Sequence, residues 1–445
     1  MDRIIIEGVR CFYEKQSVPL KPITLLVGEN SSGKSTFLAL VRAAWDISVA
    51  QSPNFNEAPF SLGAYDQIAT FRAGRGGYAK KLTIGAEFAK SKDLGSSRIG
   101  PNRSDSLAIV GHFVSKNGQP VVVERTMNTG DFWVSISAVE DPLILNMATS
   151  SRSARVRLPF YLNIPSSKYP AGELALITLQ SSFPDVPEQR YFEILDGDLS
   201  PKDVAEIANA FVNTGREFSG SRPYAFAPIR THPQRTYDPI KDVPEPSGSH
   251  VPMILAQISL SSPSEWDYLR SALDKFGEAT GLFRDVEIKR LDKKKGSSAF
   301  QVQIKVAGSA FNLVDVGYGV SQVLPIVADA LRAEEGSAFL LQQPEAHLHP
   351  KAQAELGSFL AVLAKQQNKQ FVIETHSDYL VDRIRTDVRD GKIASNDVVI
   401  LYFERKNGEA TIHPLELDDF GNILNAPREY RQFFLDEERK LLGIA

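Results

Sequence analysis

The stretch Gly28-Glu29-Asn30-Ser31-Ser32-Gly33-Lys34-Ser35-Thr36 constrains this chain more than any other part of it. The apolar run Ile23-Thr24-Leu25-Leu26-Val27 precedes it and Phe37-Leu38-Ala39-Leu40 follows it, so the order reads strand, loop, helix. Gly28 and Gly33 allow backbone shapes in which several N–H groups turn inward, and a helix opening at Lys34 adds a positive dipole end. Such a loop cradles phosphates. Lys34 is the residue to neutralise β- and γ-phosphates, and the Ser35 hydroxyl is the group to ligate Mg²⁺. ATP with Mg²⁺ is therefore the expected ligand, held by Gly28, Glu29, Asn30, Ser31, Ser32, Gly33, Lys34, Ser35 and Thr36.

The surrounding pattern gives an α/β fold. Strands are expected at Arg3 to Glu7, Gln16 to Leu20 and Ile23 to Val27, followed by the helix from Lys34. Short alternating strands follow at Leu82 to Phe88, Leu107 to Val114, Pro120 to Arg125 and Phe132 to Ile136. Lys-Asn-Gly and Asn-Thr-Gly turns separate them, which makes an antiparallel meander. From about Ala138 to Gly281 the chain is Pro- and Ser-rich with helical patterns at Lys202 to Phe218 and Ser264 to Thr280. A hairpin is expected next, Arg284 to Lys289 and Ala299 to Val306, around Lys293-Lys294-Lys295-Gly296. After Asn312 strands alternate with helices: a helix from Gly319 to Glu334, a strand Ala338 to Gln342, a helix Pro350 to Gln367, a strand Gln370 to Glu374 and a helix Tyr379 to Arg389. That alternation implies a mostly parallel sheet covered on both faces. A hairpin, Val398 to Glu404 and Thr411 to Leu415, and an amphipathic helix from about Arg428 close the chain. Three parts follow: 1–137 with the phosphate loop and meander, 138–310 as an inserted, partly helical lobe, and 311–445 with the later ATP motifs.

The 445 residues are 42% hydrophobic and 23% charged, so no disordered or fibrous reading is needed. A net charge of -4 argues against non-specific coating of nucleic acid, while a local basic groove stays open. The single cysteine, Cys11, has no intramolecular partner and suits a reducing cytoplasm. No apolar run is long enough for a signal peptide or a membrane span, so a cytoplasmic protein without membrane partners is expected.

A phosphate loop does not by itself place water or sense the γ-phosphate, so further groups should lie downstream. Two apolar strands end in polar groups: Phe339-Leu340-Leu341-Gln342-Gln343-Pro344-Glu345-Ala346-His347-Leu348-His349-Pro350, and Phe371-Val372-Ile373-Glu374-Thr375-His376-Ser377. The pair resembles the Walker B and switch-histidine segments of the OLD-like and related AAA-type ATPases, a branch of the ABC/SMC/RecF P-loop group. Val316-Gly317-Tyr318-Gly319-Val320-Ser321-Gln322-Val323-Leu324-Pro325 is similar to that group's signature segment. The resemblance covers roughly 1–100 and 310–445, with Ala227-Pro228-Ile229-Arg230, Arg235 and Gly248-Ser249-His250-Val251-Pro252 matching in between. It implies an ABC-type P-loop ATPase with a mostly parallel central sheet, an antiparallel β-meander and a mixed inserted lobe. It also implies two heads pairing around ATP, with Gly317, Gly319, Ser321 and Gln322 facing the γ-phosphate held by the other subunit.

The chain departs from that pattern at Gln342 and Gln343, where the family carries acids. Amides neither hold a metal as well nor accept a proton, so ATP binding is expected and hydrolysis is left open. Two carboxylates remain. Glu345 lies three residues past Gln342, and Glu374 lies beside His376 on a strand that the resemblance places between those of the phosphate loop and Gln342. Either acid is read as supplying the missing charge, with His376 on the γ-phosphate; the plainer alternative is that both acids brace strand ends. Gly317 stands where ABC proteins carry a serine, and Gly319 at a helix start is either a phosphate clamp or a plain cap.

Gln67 falls where a Q-loop belongs, either near Mg²⁺ and water or on the surface. Arg230 and Arg235 read as anion contacts or ordinary ion pairs, and Lys293 to Lys295 as a solvated turn or a nucleic-acid contact. No zinc set accompanies His347 and His349. No nuclease constellation is present either. The leading function is an ATP-binding sensor or scaffold, a homodimer or higher oligomer controlling a separately encoded nuclease or toxin. Septu-, PARIS- and retron-associated anti-phage ATPases are the similar systems. The alternative is a RecF- or SMC-like repair ATPase that binds DNA when closed by ATP, although no heptad run for a coiled-coil arm is visible.

Overall fold

The computed structural model describes residues 1–49, 52–72, 77–89, 106–130, 132–137, 144–157, 193–204, 207, 222–230, 232–238, 245–291, 299–306, 308–430 and 439–440. Two compact units share the chain: Met1–Leu20, Thr36–Gly220 and Arg405–Thr411 form the first, and Lys21–Ser35, Ser221–Glu404 and Ile412–Ala445 the second.

The chain opens with β1 (Arg3–Glu7), β2 (Gln16–Pro19) and β3 (Ile23–Gly28), then the helix Lys34–Ser48 and a single helical turn, Tyr65–Ile68. A small ribbon, β4 (Phe71–Arg72) with β5 (Gly77–Tyr78), follows. The first unit is then dominated by β6 (Leu82–Ala89), β7 (Ser106–Lys116), β8 (Gln119–Asn128), β9 (Phe132–Ser137), β10 (Ile144–Thr149), β11 (Ser153–Arg157) and β12 (Glu193–Gly197). With β1 and β2 these make a nine-stranded sheet in the order β12-β11-β10-β9-β8-β7-β6-β1-β2, antiparallel throughout. Asn117 and Gly118 both take positive φ at the β7–β8 turn, the backbone a tight hairpin requires.

The meander therefore runs further than the sequence suggests. β10, β11 and β12 are five or six residues long and carry Asn, Ser, Arg and Glu, too little apolar alternation to register against the Pro- and Ser-rich background. Of the helix expected at Lys202 to Phe218, residues 201–204 are helical and most of the rest lies outside the described residues. The same holds for Lys293 to Lys295 and for most of the helix expected from Arg428.

The second unit holds β13 (Tyr224–Phe226), the helices Val251–Ser261 and Pro263–Thr280, and a three-stranded sheet of β14 (Asp285–Arg290), β15 (Phe300–Val306) and β16 (Ser309–Asn312). After these come the helix Tyr318–Arg332, β17 (Ala338–Gln342), the helix Pro350–Gln366, β18 (Gln370–Glu374), the helix Asp378–Arg389, β19 (Val398–Lys406) and β20 (Glu409–Leu415). The helix Val251–Ser261 escapes a periodicity search because it is apolar nearly all round: six of its residues are buried, so no polar face marks it.

The central sheet runs β13-β17-β18-β3-β19-β20, and its first five strands are parallel. β17 is buried at every position, as expected of an inner parallel strand. Tyr224, Phe339 and Phe371 stack as a ladder across β13, β17 and β18, with ring centroids 4.9 and 5.1 Å apart. Cross-strand aromatic pairs of this kind pin register. The register places Gln342 opposite Glu374 and Glu374 opposite Leu26. Ile23, Leu25, Phe339, Leu341, Phe371 and Ile373 all belong to one core cluster with the helices Tyr318–Arg332, Pro350–Gln366 and Asp378–Arg389. Among the described residues no helix is long and apolar enough to cross a membrane.

Two contacts make the sheet testable. Gly28 ends β3 with φ 139°, and a Cβ built there would lie 2.6 Å from the Phe403 carbonyl oxygen of β19. Gly28→Ala should lose about 1–3 kcal/mol and weaken ATP binding, read from unfolding midpoints and nucleotide titration. Lys369 is fully buried and donates to the Ala330 carbonyl and to Gln367 Oε1, both at 2.6 Å, closing the end of the helix Tyr318–Arg332. Burial pushes its ammonium down to about 8 from 10.5, against the opposing charge of Glu335. Between those values the unfolded chain binds more protons than the folded one, so unfolding free energy from this group rises with pH. Lys369→Met should remove that rise, measured as denaturant midpoints at about pH 8 and about pH 10.

Candidate functional site

The phosphate loop joins β3 to the helix that begins at Lys34, with positive φ at Gly28 (139°), Ser31 (61°) and Gly33 (107°). Three such residues in six give the loop its inward curl. Lys34 is 3% exposed, and its ammonium donates to the Gly28 carbonyl at 2.9 Å, the Glu29 carbonyl at 2.7 Å and Ser32 Oγ at 3.5 Å. Burial lowers its pKa, and the charges of Glu374 and Glu29 oppose that shift. A buried cation whose hydrogen bonds all go to neutral oxygens is electrically incomplete, which suits a polyphosphate. Glu29, Asn30 and Ser31 are exposed at the loop tip, while Ser32 and Thr36 are buried.

The Ser35 hydroxyl donates to Glu374, 2.9 Å from each carboxylate oxygen. Glu374 is 5% exposed at the end of β18, the strand between β3 and β17. The hydroxyl and carboxylate are hard oxygen donors side by side, a set that fits Mg²⁺ bound with phosphate oxygens. Gln342, one strand further out, is buried at 8% exposure. Gln343 starts the turn after β17 with φ 43° and donates its N–H to the Glu374 carbonyl at 2.8 Å.

That turn brings Glu345 under the switch segment. Its Oε1 accepts the His376 N–H at 2.8 Å, while Oε2 is buried with no hydrogen-bond partner among the described residues. Burial raises the Glu345 carboxyl above the ordinary range, opposed by the backbone N–H groups of His376 and Glu345, the Thr375 hydroxyl and the Arg230 charge. Burial and the Lys34 charge hold the His376 imidazole below its ordinary value, opposed by Glu374. Lys34, Ser35, Glu345, Glu374 and His376 thus share one end of the parallel sheet, outside the carboxyl ends of its strands.

Gly317 caps the helix Tyr318–Arg332 without a side-chain bond. Gly319 lies in its first turn, where an added Cβ would be 2.7 Å from the His347 carbonyl oxygen. The Tyr318 ring meets the His347 ring edge-on at 4.8 Å, and His347 has φ 66°. Ser321 also falls in the first turn, but it is buried and donates to the Tyr318 carbonyl at 2.8 Å. Gln322 is wholly buried; its Oε1 accepts the Arg230 N–H at 3.1 Å. Of the four residues expected to face the other subunit's γ-phosphate, the two glycines lie at the helix start, while Ser321 and Gln322 are turned into the protein.

In the first unit, Gln67 is exposed and its Oε1 accepts the Ala64 N–H at 3.0 Å, so the side chain closes its own helical turn. Arg10 was not singled out from sequence, yet it donates to Thr36 Oγ1 at 3.1 Å and to the Gln67 carbonyl at 3.2 Å. Nothing around Val9-Arg10-Cys11 signals that role. Arg235 pairs with Asp315 at 2.9 Å on the surface, the ordinary ion pair. His349 caps its own helix, with Nδ1 accepting the Lys351 N–H at 3.3 Å.

Residues 181–382 match the family model described as "AAA domain, putative AbiEii toxin, Type IV TA system". Residues 3–67 match an "AAA domain" model, and residues 393–443 match a "Protein of unknown function (DUF3696)". No curated protein matches the chain. Solved structures similar to it include an Smc head bound to the C-winged helix domain of ScpA. That match has 10% identity and a TM-score of 0.47, and covers 94% of this chain and 98% of that one. A second is the Smc head domain with an extended coiled coil bound to the C-terminal domain of ScpA, from Pyrococcus furiosus. It has 11% identity and a TM-score of 0.43, with 98% and 99% covered. The SMC head domain from Thermotoga maritima matches at 12% identity and a TM-score of 0.35, with 94% and 99% covered. Such loose likenesses carry no weight beside the loop geometry and the two AAA-type matches. The loop geometry and these two matches identify AAA-type P-loop ATPase segments over residues 3–67 and 181–382.

Proposed function

We propose that this protein is an ATP-gated switch that closes as a homodimer over Mg²⁺-bound ATP, turns it over slowly, and controls a separately encoded effector in bacterial anti-phage defence. The observation that carries the reading is the Glu374 carboxylate resting on Ser35, one strand nearer the phosphate loop than Gln342. An acid there supplies the negative charge that Gln342 lacks. Ser35 and Glu374 would hold Mg²⁺, which when bound adds positive charge against the phosphate oxygens. Lys34 and the inward N–H groups of residues 28–36 hold the phosphates. Glu345, with one unpartnered buried oxygen, accepts the proton of the attacking water, and the exposed His376 imidazole orients the γ-phosphate end.

The dimer follows from Gly317 and Gly319 at an uncapped helix start, which presents N–H groups to a phosphate on the other subunit. The defence role draws on the description of the family matched over residues 181–382, a putative AbiEii toxin of a type IV toxin–antitoxin system. A toxin or nuclease made by a separate gene is the proposed effector.

ATP turnover by Glu374→Gln and Glu345→Gln, each with ATP affinity measured alongside, tests the catalytic part. Each should lower kcat by about 100-fold or more. Glu374→Gln should also weaken the Mg²⁺ dependence of ATP binding, and Glu345→Gln should trap an ATP-bound dimer. Wild-type rates in both variants would discard the site. For the effector, capture from native lysate with and without ATP should recover the product of a neighbouring gene only in one nucleotide state. Recovery indifferent to nucleotide would remove the gating.

A further inference from the structure

A buried charge is expected to have its hydrogen bonds met, and Arg230 does not. It is 1% exposed and heads the largest fully buried side chains. Among the described residues its guanidinium reaches the Ala227 carbonyl at 3.3 Å and the Gln343 carbonyl at 3.5 Å, long for a charged donor, and Nε has no partner. Glu345 is incomplete in the same way, with Oε2 buried and unpartnered. The two side chains act on each other electrostatically, each favouring the other's ionised form, with no hydrogen bond between them.

The other side of Arg230 is held firmly. Gln322 clasps its main chain, Oε1 accepting the N–H at 3.1 Å and Nε2 facing the carbonyl at 3.5 Å. Gln322 sits on the helix that begins at Gly317, while Gln343 belongs to the turn that carries Glu345. Arg230 therefore bridges the helix that carries Gln322 and the turn that carries Glu345. A small shift of the helix carries Gln322, the Arg230 main chain and, at the far end, the guanidinium over Gln343 and Glu345.

We propose that Arg230 is a positioning residue that ties the signature helix, through Gln322, to the placement of the Glu345 carboxylate. This rests on the reading that Glu345 accepts the proton of water. Removing the guanidinium leaves Glu345 buried without that cation, and removing Gln322 leaves the charge in place but unguided.

The test is steady-state ATP turnover, ATP affinity and melting temperature for the full chain carrying Arg230→Met, Arg230→Lys, Gln322→Leu, Glu345→Gln and the Arg230→Met/Glu345→Gln pair. Arg230→Met should lower kcat about 10- to 100-fold with KM and ATP affinity within about twofold of wild type. Arg230→Lys should recover to within about tenfold, Gln322→Leu should lose about 3- to 10-fold, and the double variant should be no slower than Glu345→Gln alone. Wild-type kcat in Arg230→Met overturns the proposal, whether or not the protein melts earlier. So does a loss that falls on KM, or losses that multiply in the double variant. If Glu345→Gln itself keeps wild-type kcat, the catalytic reading of Glu345 has failed and the role of Arg230 falls with it.

Discussion

Three parallel strands ending in register hold the candidate site together. β3 delivers the phosphate loop, β18 delivers Glu374 and His376, and β17 delivers Gln342 and the turn to Glu345. A slip of one residue between β18 and β3 would turn Glu374 to the opposite face of the sheet and away from Ser35. The ring ladder Tyr224–Phe339–Phe371 pins β13, β17 and β18 against one another, which keeps Gln342 opposite Glu374. Core packing and site geometry are thus one constraint.

The position of an acid at the end of β18 has physical consequences. At the end of β18 the carboxylate is next to the phosphate loop, bonded to Ser35 and within electrostatic reach of Lys34 and His376. The outer position, Gln342, keeps a polar but neutral group, so no second charge competes at the strand ends. Two carboxylates packed there would repel and raise each other's affinity for protons. The second acid, Glu345, lies instead in the turn after β17, where it accepts the His376 N–H.

Much of this was legible in the sequence, for identifiable reasons. The phosphate loop, β17, β18 and the helices between them announce themselves through long apolar runs broken by glycine or proline, while the strand order that brings Glu374 beside the loop is implied by the resemblance to OLD-like ATPases and not by the alternation. Arg230 stands out in the sequence but not as a buried residue, because burial of a charge depends on contacts 92 and 113 residues away, at Gln322 and Gln343. Arg10 and Phe403 act through a hydrogen bond and a bare backbone carbonyl, which leave no trace in residue type. The strands β10 to β12 and the helix Val251–Ser261 were missed for opposite reasons, the first being too polar and the last too uniformly apolar.

Gly319 lies against the His347 carbonyl with no side chain between them. Most neighbouring segments in a protein are separated by side chains that can change rotamer and absorb a displacement. Here there is no cushion, so the start of the helix and the turn after β17 have no slack between them. In lineages that keep this contact, the two segments should be inherited as a pair, each drifting in sequence only as far as the other follows.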